Sequence, residues 1–333
     1  MFFLWPFEII YRIVIAIRNI YFDSFYKEPN KNKSPLCLSV GNLSAGGTGK
    51  TPICLKLIEL SQTFAKTGVL LRGYKADKNA NSDEAMIYSN YLDHQNVYVG
   101  ADRLKSLEKA KSDKVKIAVL DDAFQHRKIG RELNIVLIDC TQPPQKDHCF
   151  PRGFLREPIS SLQRADILVL TRSDLVDNSI IKSIETDLKH KFSHLKLFKS
   201  QMDFSHFNYV SGEKPTSSKQ KFILVSGIGN PDSFNQSVLK QEVELVNTLV
   251  FQDHYEYSQN DLENIKKEIE KHENTAVLTT EKDWVKWKKF NFNFPVAIFV
   301  AKAKILTMDD QQCDAELLNI IEDKLNMLSE EHD

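Results

Sequence analysis

The stretch "LSVGNLSAGGTGKTP", residues 38–52, constrains this chain more than any other part of it. It ends in Gly49, Lys50 and Thr51, the close of a phosphate-binding loop of pattern G-x-x-x-x-G-K-[ST]. Counting back places Ser44 in the first glycine slot, so the strict pattern is broken there. Gly46, Gly47 and Gly49 still let backbone N–H groups turn inward around a phosphate, and a following helix adds its partial positive charge. Serine serves in the first slot if its φ stays negative. "LCLSVGN" before the loop reads as a buried strand. Pro52 falls in the first turn of the next helix, where its missing N–H is harmless. The expected phosphate cradle is therefore Ser44, Ala45, Gly46, Gly47, Thr48, Gly49, Lys50 and Thr51. Lys50 reaches the β- and γ-phosphates of a nucleotide, and the Thr51 hydroxyl meets Mg²⁺.

The rest of the chain continues the alternation. Apolar strands are expected at 68–74, 96–100, up to Asp121, 133–139 and 165–174, with helices at 52–66 and 101–111. Continuous apolar strands between helices predict a parallel sheet covered on both faces. Residues 200–220 turn polar and rich in turn formers, which predicts a link. A second α/β series follows, with strands near 222–231, 243–251, 275–283 and 295–302, a helix near 259–272 and a last helix over 309–328. The fold expected is α/β with two sandwich domains: a nucleotide domain over 35–200 and a smaller one over 221–328. The chain has 333 residues, is 42% hydrophobic and carries a net charge of -1. That balance gives no reason to expect nucleic acid as a partner. The five cysteines are scattered, with no C-x-x-C pair, which indicates neither a zinc site nor a disulfide framework and fits a reducing compartment.

The first 28 residues stand apart. Glu8, Arg12, Arg18 and Asp23 interrupt the apolar run before the roughly 20 residues that a membrane span needs. No basic start or small-residue cleavage site marks a signal peptide. As a helix, Glu8, Arg12, Asn19, Asp23 and Lys27 share one stripe, and most of the remaining circumference is apolar. That predicts a helix lying in a membrane interface. Half-burying ten large side chains contributes about 1 kcal/mol each. Arg12, Arg18 and Lys27 are expected to add attraction to anionic lipid.

Two acidic pairs bear on the chemistry. The strand in "KIAVLDDAFQH" ends at Asp121 and Asp122, where a phosphate-loop protein holds Mg²⁺ or its water. "NSDEA" offers Asp83 and Glu84, which point different ways, so that one can bind metal while the other accepts a proton. "TRSD" lacks the Asn and Lys of a guanine-reading motif. A membrane-cycling positioning ATPase is the alternative class, but it needs a Lys where Ala45 stands.

Taken together, "VGNLSAGGTGKTP", "LRGYK", "SDEA", "DDAFQH", "PRGFLREP", "FQDHYEY" and "TTEKD" resemble, in order, the tetraacyldisaccharide 4'-kinase family, from the first helix to about residue 300. The resemblance implies MgATP-dependent phosphorylation of the 4'-hydroxyl of an acylated glucosamine disaccharide in lipid A biosynthesis. It implies two α/β/α domains that close over ATP, and a peripheral seat on the cytoplasmic face of the inner membrane, with no obligate protein partner. It also implies roles for single residues. Asp83 matches the catalytic base, Glu84 a magnesium-site acid, and His254 the histidine that orients or tunes the base. Asp121 and Asp122 match the acidic pair, with Gln125 and His126 completing that motif on the substrate side. Arg72, Tyr74 and Arg156 match positions at or near substrate and nucleotide. Glu281 and Lys282 match a motif beside the nucleotide in the second domain. Ala123 and Ser82 stand where the family often has glycine.

Overall fold

The computed structural model describes residues 2–28, 33–73, 83–144, 147–203, 207–212, 221–241 and 243–330. The chain divides into two compact units, Met1–Gln201 with Ala303–Asp333, and Met202–Lys302.

Unit 1 is built on a sheet whose strands, in spatial order, are β13 (Lys302–Leu306), β7 (Lys196–Asp203), β6 (Ile167–Thr171), β5 (Leu133–Asp139), β1 (Leu36–Asn42), β4 (Ile117–Leu120), β2 (Thr67–Leu71) and β3 (Val97–Val99). From β7 to β3 every neighbouring pair is parallel. Alternate residues feed opposite faces, as the period of a strand requires. Leu36, Leu38, Val40, Ile117, Val119, Ile135, Leu137, Ile167 and Val169 enter one core with α2 (Lys50–Gln62) and α9 (Asp314–Glu330). Their neighbours Cys37, Ala118, Leu120, Val136, Ile138, Leu168 and Leu170 enter cores on the other face, covered by α4 (Arg103–Ser112) and α5 (Asn178–Lys191). Such double coverage explains the unbroken apolar strands.

The chain leaves β1 for β2 on one side and later adds β5 on the other. The carboxyl ends of β1 and β4 therefore lie at the switch in strand order, where open α/β sheets receive ligands. Gly41 makes this edge tight. A Cβ there would come within 2.5 Å of the Phe124 Cβ, so only glycine lets β1 approach the turn after β4.

Unit 2 has the strand order β10 (Glu244–Val250), β9 (Lys221–Ser226), β11 (Thr275–Thr280), β12 (Val296–Phe299), β8 (Phe207–Ser211). All pairs are parallel except β12 with β8. α6 (Pro231–Leu239) packs on one face, and α7 (Gln259–Ile269) with α8 (Glu281–Trp287) on the other. Trp287 is fully buried in that second core.

Two sequence expectations change. The polar stretch 200–220 is not simply a link, because β8 lies within it as a half-buried edge strand that needs little apolar content. The terminal segment is not part of the second unit. The run 295–302 splits into β12 and the start of β13, and the chain then returns to the edge of the first sheet, where Leu317 and Ile321 of α9 join its core.

α1 (Trp5–Ser24) forms as expected, but its polar side faces the protein. Glu8 is buried and pairs with Arg152 at 3.3 Å. Arg18 faces Glu157 at 3.8 Å and donates to the Gln125 carbonyl. Asn19 donates to Glu157 at 3.1 Å, and Asp23 pairs with Arg127. The outward side carries Trp5, Phe7, Ile10, Ile13, Val14, Ile17 and Ile20. Arg18 is thus turned inward rather than toward lipid, because the fully buried Glu157 requires a cation; Arg12 and Lys27 remain exposed. Among the described residues, no helix is long and apolar enough to cross a membrane.

Candidate active site

The phosphate loop follows β1 and leads into α2. Gly46 and Gly49 have φ of 116° and 87°, which a side chain would resist. Ser44 is not among the positive-φ residues, so a glycine is not required in that slot. Ala45, Gly46 and Gly47 are exposed, while Thr48 is buried and tied down. Asn42 Nδ2 donates to Thr48 Oγ1 at 2.8 Å, and Thr171 Oγ1 donates to the Thr48 carbonyl at 3.0 Å. Arg172 donates to the Gly47 carbonyl and pairs with Asp139 at the end of β5. The loop is held from three strand ends, leaving its exposed crown for a ligand.

The turn after β4 lies beside it. Lys50 Nζ is 3.6 Å from Asp122 Oδ1, and Arg156 Nη1 donates to both Asp122 oxygens at 3.0 Å. Burial alone would raise the Asp122 pKa, but Lys50, Arg156 and Arg103 together outweigh it and hold the carboxylate below its ordinary value. Its neighbour behaves oppositely. Asp121 is buried and its pKa is raised by desolvation, with Lys50 opposing and Asp122 and Glu84 adding to the rise. Tyr88 OH donates to Asp121 Oδ2 at 3.0 Å, while Oδ1 is buried with no hydrogen-bond partner among the described residues.

Asp122 has φ of 48°, a left-handed conformation that aspartate tolerates better than most side chains. The turn is held by two arginines. Arg103, 2% exposed, donates to the carbonyls of both Asp121 and Asp122. Arg131 donates to the carbonyls of Ala123 (2.9 Å), Phe124 (3.2 Å) and His126 (2.6 Å). Gln125 Nε2 donates to the Asn42 carbonyl at 2.9 Å, so its side chain braces the turn against β1. Ala123 is not among the positive-φ residues, so alanine fits where the family often has glycine. His126 is half-buried, its Nδ1 has no partner among the described residues, and burial with Arg103 and Arg131 lowers its pKa to about 4.

Asp83 and Glu84 open α3 (Asp83–Tyr88). Glu84 and Tyr88, four apart, share one helix face, and Tyr88 is bonded to Asp121. That bond brings the helix start toward the acidic turn. Arg72 is exposed just past β2, while Tyr74 and Ser82 lie outside the described residues.

In unit 2, Lys282 Nζ lies 3.3 Å from His254 Nε2 and 3.1 Å from Asp253, so the two expected motifs meet there. Glu281 and Lys282 are positioned by Thr280, which caps α8, and by the buried Asp283. Asp283 accepts from Gly227 N and Tyr257 OH, each at 3.1 Å, and from Thr280 Oγ1 at 2.8 Å.

Sequence reasoning missed Tyr88, Arg103, Arg131 and Arg172. Arg103 gives no signal, because it sits in a lysine-rich helix that reads as solvated. Arg172 lies in "TRSD", a stretch weighed only for guanine recognition.

A phosphate loop after the central strand, with an acidic turn at the adjacent strand end and cations aimed at it, defines a P-loop nucleotide-binding protein. The family described as tetraacyldisaccharide-1-P 4'-kinase matches residues 1–322. This chain belongs to that family. A tetraacyldisaccharide 4'-kinase from Flavobacterium johnsoniae is 33% identical over 341 residues, covering 97% of each chain. Another from Cytophaga hutchinsonii is 30% identical, covering 98% of this chain and 97% of that one. The solved structure of LpxK from Aquifex aeolicus, in complex with ATP, matches with a TM-score of 0.74 at 27% identity, covering 97% of this chain and 98% of that chain. These relatives are kinases, which favours that reading over the positioning-ATPase alternative.

Proposed function

We propose that this chain transfers the γ-phosphate of ATP to the 4'-hydroxyl of a tetraacylated glucosamine disaccharide 1-phosphate, a step of lipid A biosynthesis, at a membrane surface. The observation that carries the reading is the meeting of Lys50, Asp122 and Arg156 at the turn beside the phosphate loop, in a chain of this family.

The amides of residues 46–51 receive the phosphates, and Lys50 leaves Asp122 for the β- and γ-oxygens as ATP enters. Arg156 then keeps Asp122 ionised and in place. Asp83 is the assigned base. As the acceptor oxygen bonds to the γ-phosphorus and the bridging P–O bond to ADP breaks, its carboxylate takes the hydroxyl proton. Arg72, Tyr74, Gln125 and His126 are assigned to the substrate side, and His254, Glu281 and Lys282 to the base and nucleotide, on the family motifs.

The donors suit Mg²⁺. Asp121 Oδ1 is buried and without a hydrogen-bond partner among the described residues. Among the described residues, no three His, Cys, Asp or Glu cluster to cage a metal alone. One or two carboxylates, a hydroxyl and the phosphates themselves are the usual magnesium set. Asp121, Thr51 and Glu84 would hold it, with Asp122 more engaged by Lys50 and Arg156. Bound there, the ion supplies neutralisation of charge on the transferring group.

The outward apolar side of α1 supports a peripheral seat, on the cytoplasmic face of the inner membrane where ATP is at hand. A substrate with several acyl chains leaves lipid at about 0.8 kcal/mol per CH₂, so the enzyme must meet it at the bilayer. Label transfer tests the whole reading. With γ-labelled ATP and vesicles bearing the acylated disaccharide, label enters the organic phase, and Lys50→Ala lowers that rate by about 10²–10³-fold. Label appearing only as inorganic phosphate would refute it.

A further inference from the structure

A second exposed apolar point of unit 1 lies beside α1. Residues 149–157, "CFPRGFLRE", form a strap between α1 and the phosphate loop. Toward α1, the Glu8 carboxylate accepts from Cys149 N at 3.3 Å and pairs with Arg152 at 3.3 Å. Tyr11 OH donates to the Arg156 carbonyl at 2.8 Å, and the Tyr11 ring packs edge-on against Phe150 at 5.7 Å. Toward the loop, Ala45 N donates to the Phe154 carbonyl at 2.8 Å and Arg156 N to the Leu43 carbonyl at 2.7 Å. Ser44 bridges Leu155 in antiparallel fashion.

The turn of the strap is fixed. Asp147 accepts from Phe154 N at 3.0 Å and His148 N at 2.7 Å. A Cβ on Gly153 would fall 2.4 Å from the His148 carbonyl oxygen, so only glycine fits. Yet Phe150 and Phe154 are 59% and 68% exposed. An ordered turn that spends its polar groups inward and holds two aromatic rings outward calls for an apolar partner.

We propose that Phe150 and Phe154 are a second lipid-contacting point, entering the interfacial layer of the same bilayer that receives α1, and that the strap transmits lipid seating to the phosphate loop. The proposal rests on the membrane reading of α1. Proximity favours lipid: Phe150 packs on Tyr11, a half-buried residue of α1, so the strap lies against the same helix that carries the outward apolar side. A protein partner would ordinarily find a hydrogen bond every 100–200 Å² or so, whereas a bilayer needs none. The link to chemistry is covalent and short. Phe154 lies two residues before Arg156, whose side chain holds Asp122 and whose N–H holds Leu43. Lipid contact at Phe154 therefore bears on a segment bonded to both the loop and the acidic turn.

Tryptophan quenching by brominated acyl chains tests this on the full chain, with vesicles of phosphatidylethanolamine and phosphatidylglycerol. Native Trp5 reports α1. In a Trp5→Phe background, Phe154→Trp and, separately, Phe150→Trp report the strap after the remaining tryptophan signal is subtracted. The expected result is a loss of emission and a blue shift at both strap positions and a loss at Trp5. Quenching at Trp5 with none at 150 or 154 overturns the strap proposal and leaves α1 on the membrane. Quenching at the strap with none at Trp5 removes α1 from the membrane and overturns the shared seat proposed here. No quenching anywhere removes both. The double variant Phe150→Ser/Phe154→Ser, checked for folding by circular dichroism, is expected to bind vesicles about tenfold more weakly or worse; unchanged binding contradicts the proposal.

Discussion

α1 and α2 belong to the same unit and both mix apolar with polar residues, yet they turn opposite faces to the protein. α2 buries Ile53, Cys54, Leu57 and Ile58 against the sheet and presents Lys50 and Thr51 at its start to the phosphate site. α1 buries Glu8 and leaves Ile13, Val14 and Ile17 outside. The difference lies in the partners. The sheet offers α2 an apolar floor, while the ground under α1 is Arg152, Glu157 and Arg127. A helical pattern gives a face, and what covers that face depends on groups far away in the chain.

The comparison separates chemistry from seating, and each side can be broken alone. The largest effect belongs to the chemistry. Asp83→Ala is expected to lower kcat by about 10²–10⁴-fold with ATP binding little changed. The loss should be equal whether the acceptor is in vesicles or detergent; an ordinary turnover rate would remove Asp83 from the base role.

Next comes the ground under α1. Glu157 is fully buried, pairs with Arg164 at 2.8 Å and faces Arg18. Removing one partner of a buried pair costs about 3–5 kcal/mol, so Glu157→Ala should lower the denaturant midpoint of unit 1 markedly. The two helices then give contrasting single substitutions. Leu57→Ala should cost about 2–5 kcal/mol as a buried truncation. Ile17→Ala, at a site 63% exposed, should change stability in solution by no more than about 0.5 kcal/mol while weakening vesicle binding. Equal losses from the two would mean that α1 packs by its apolar side after all.

The smallest effect is a pH dependence. His126 falls to about 4 in the folded chain from 6.5. Below pH 6.5 the unfolded chain takes up the proton first, so this stability is full above that value and is lost as pH falls toward 4. His126→Asn should flatten that part of the unfolding curve measured against pH.

Much of this was legible in the sequence. β1 and β5 appear at their observed limits because they are buried on both faces and read as unbroken apolar runs. The phosphate loop and both acidic pairs announce themselves through local order. What was hidden depends on distant partners. β8 is an edge strand with polar residues, and β13 joins a sheet whose other strands end about a hundred residues earlier. Arg103 and Arg131 work through backbone carbonyls, which leave no mark in side-chain pattern. The direction in which α1 faces was also hidden. Its stripe was visible, but its partners, Arg152, Glu157 and Arg127, lie more than a hundred residues away.

The most direct test of the central claim is phosphorus NMR of the lipid recovered after incubation with ATP and the acylated disaccharide 1-phosphate. The expected product carries a new phosphomonoester on the distal sugar, at the 4' oxygen, beside the original 1-phosphate. A lipid that returns with the 1-phosphate alone, while ATP has been consumed to ADP and orthophosphate, would contradict it.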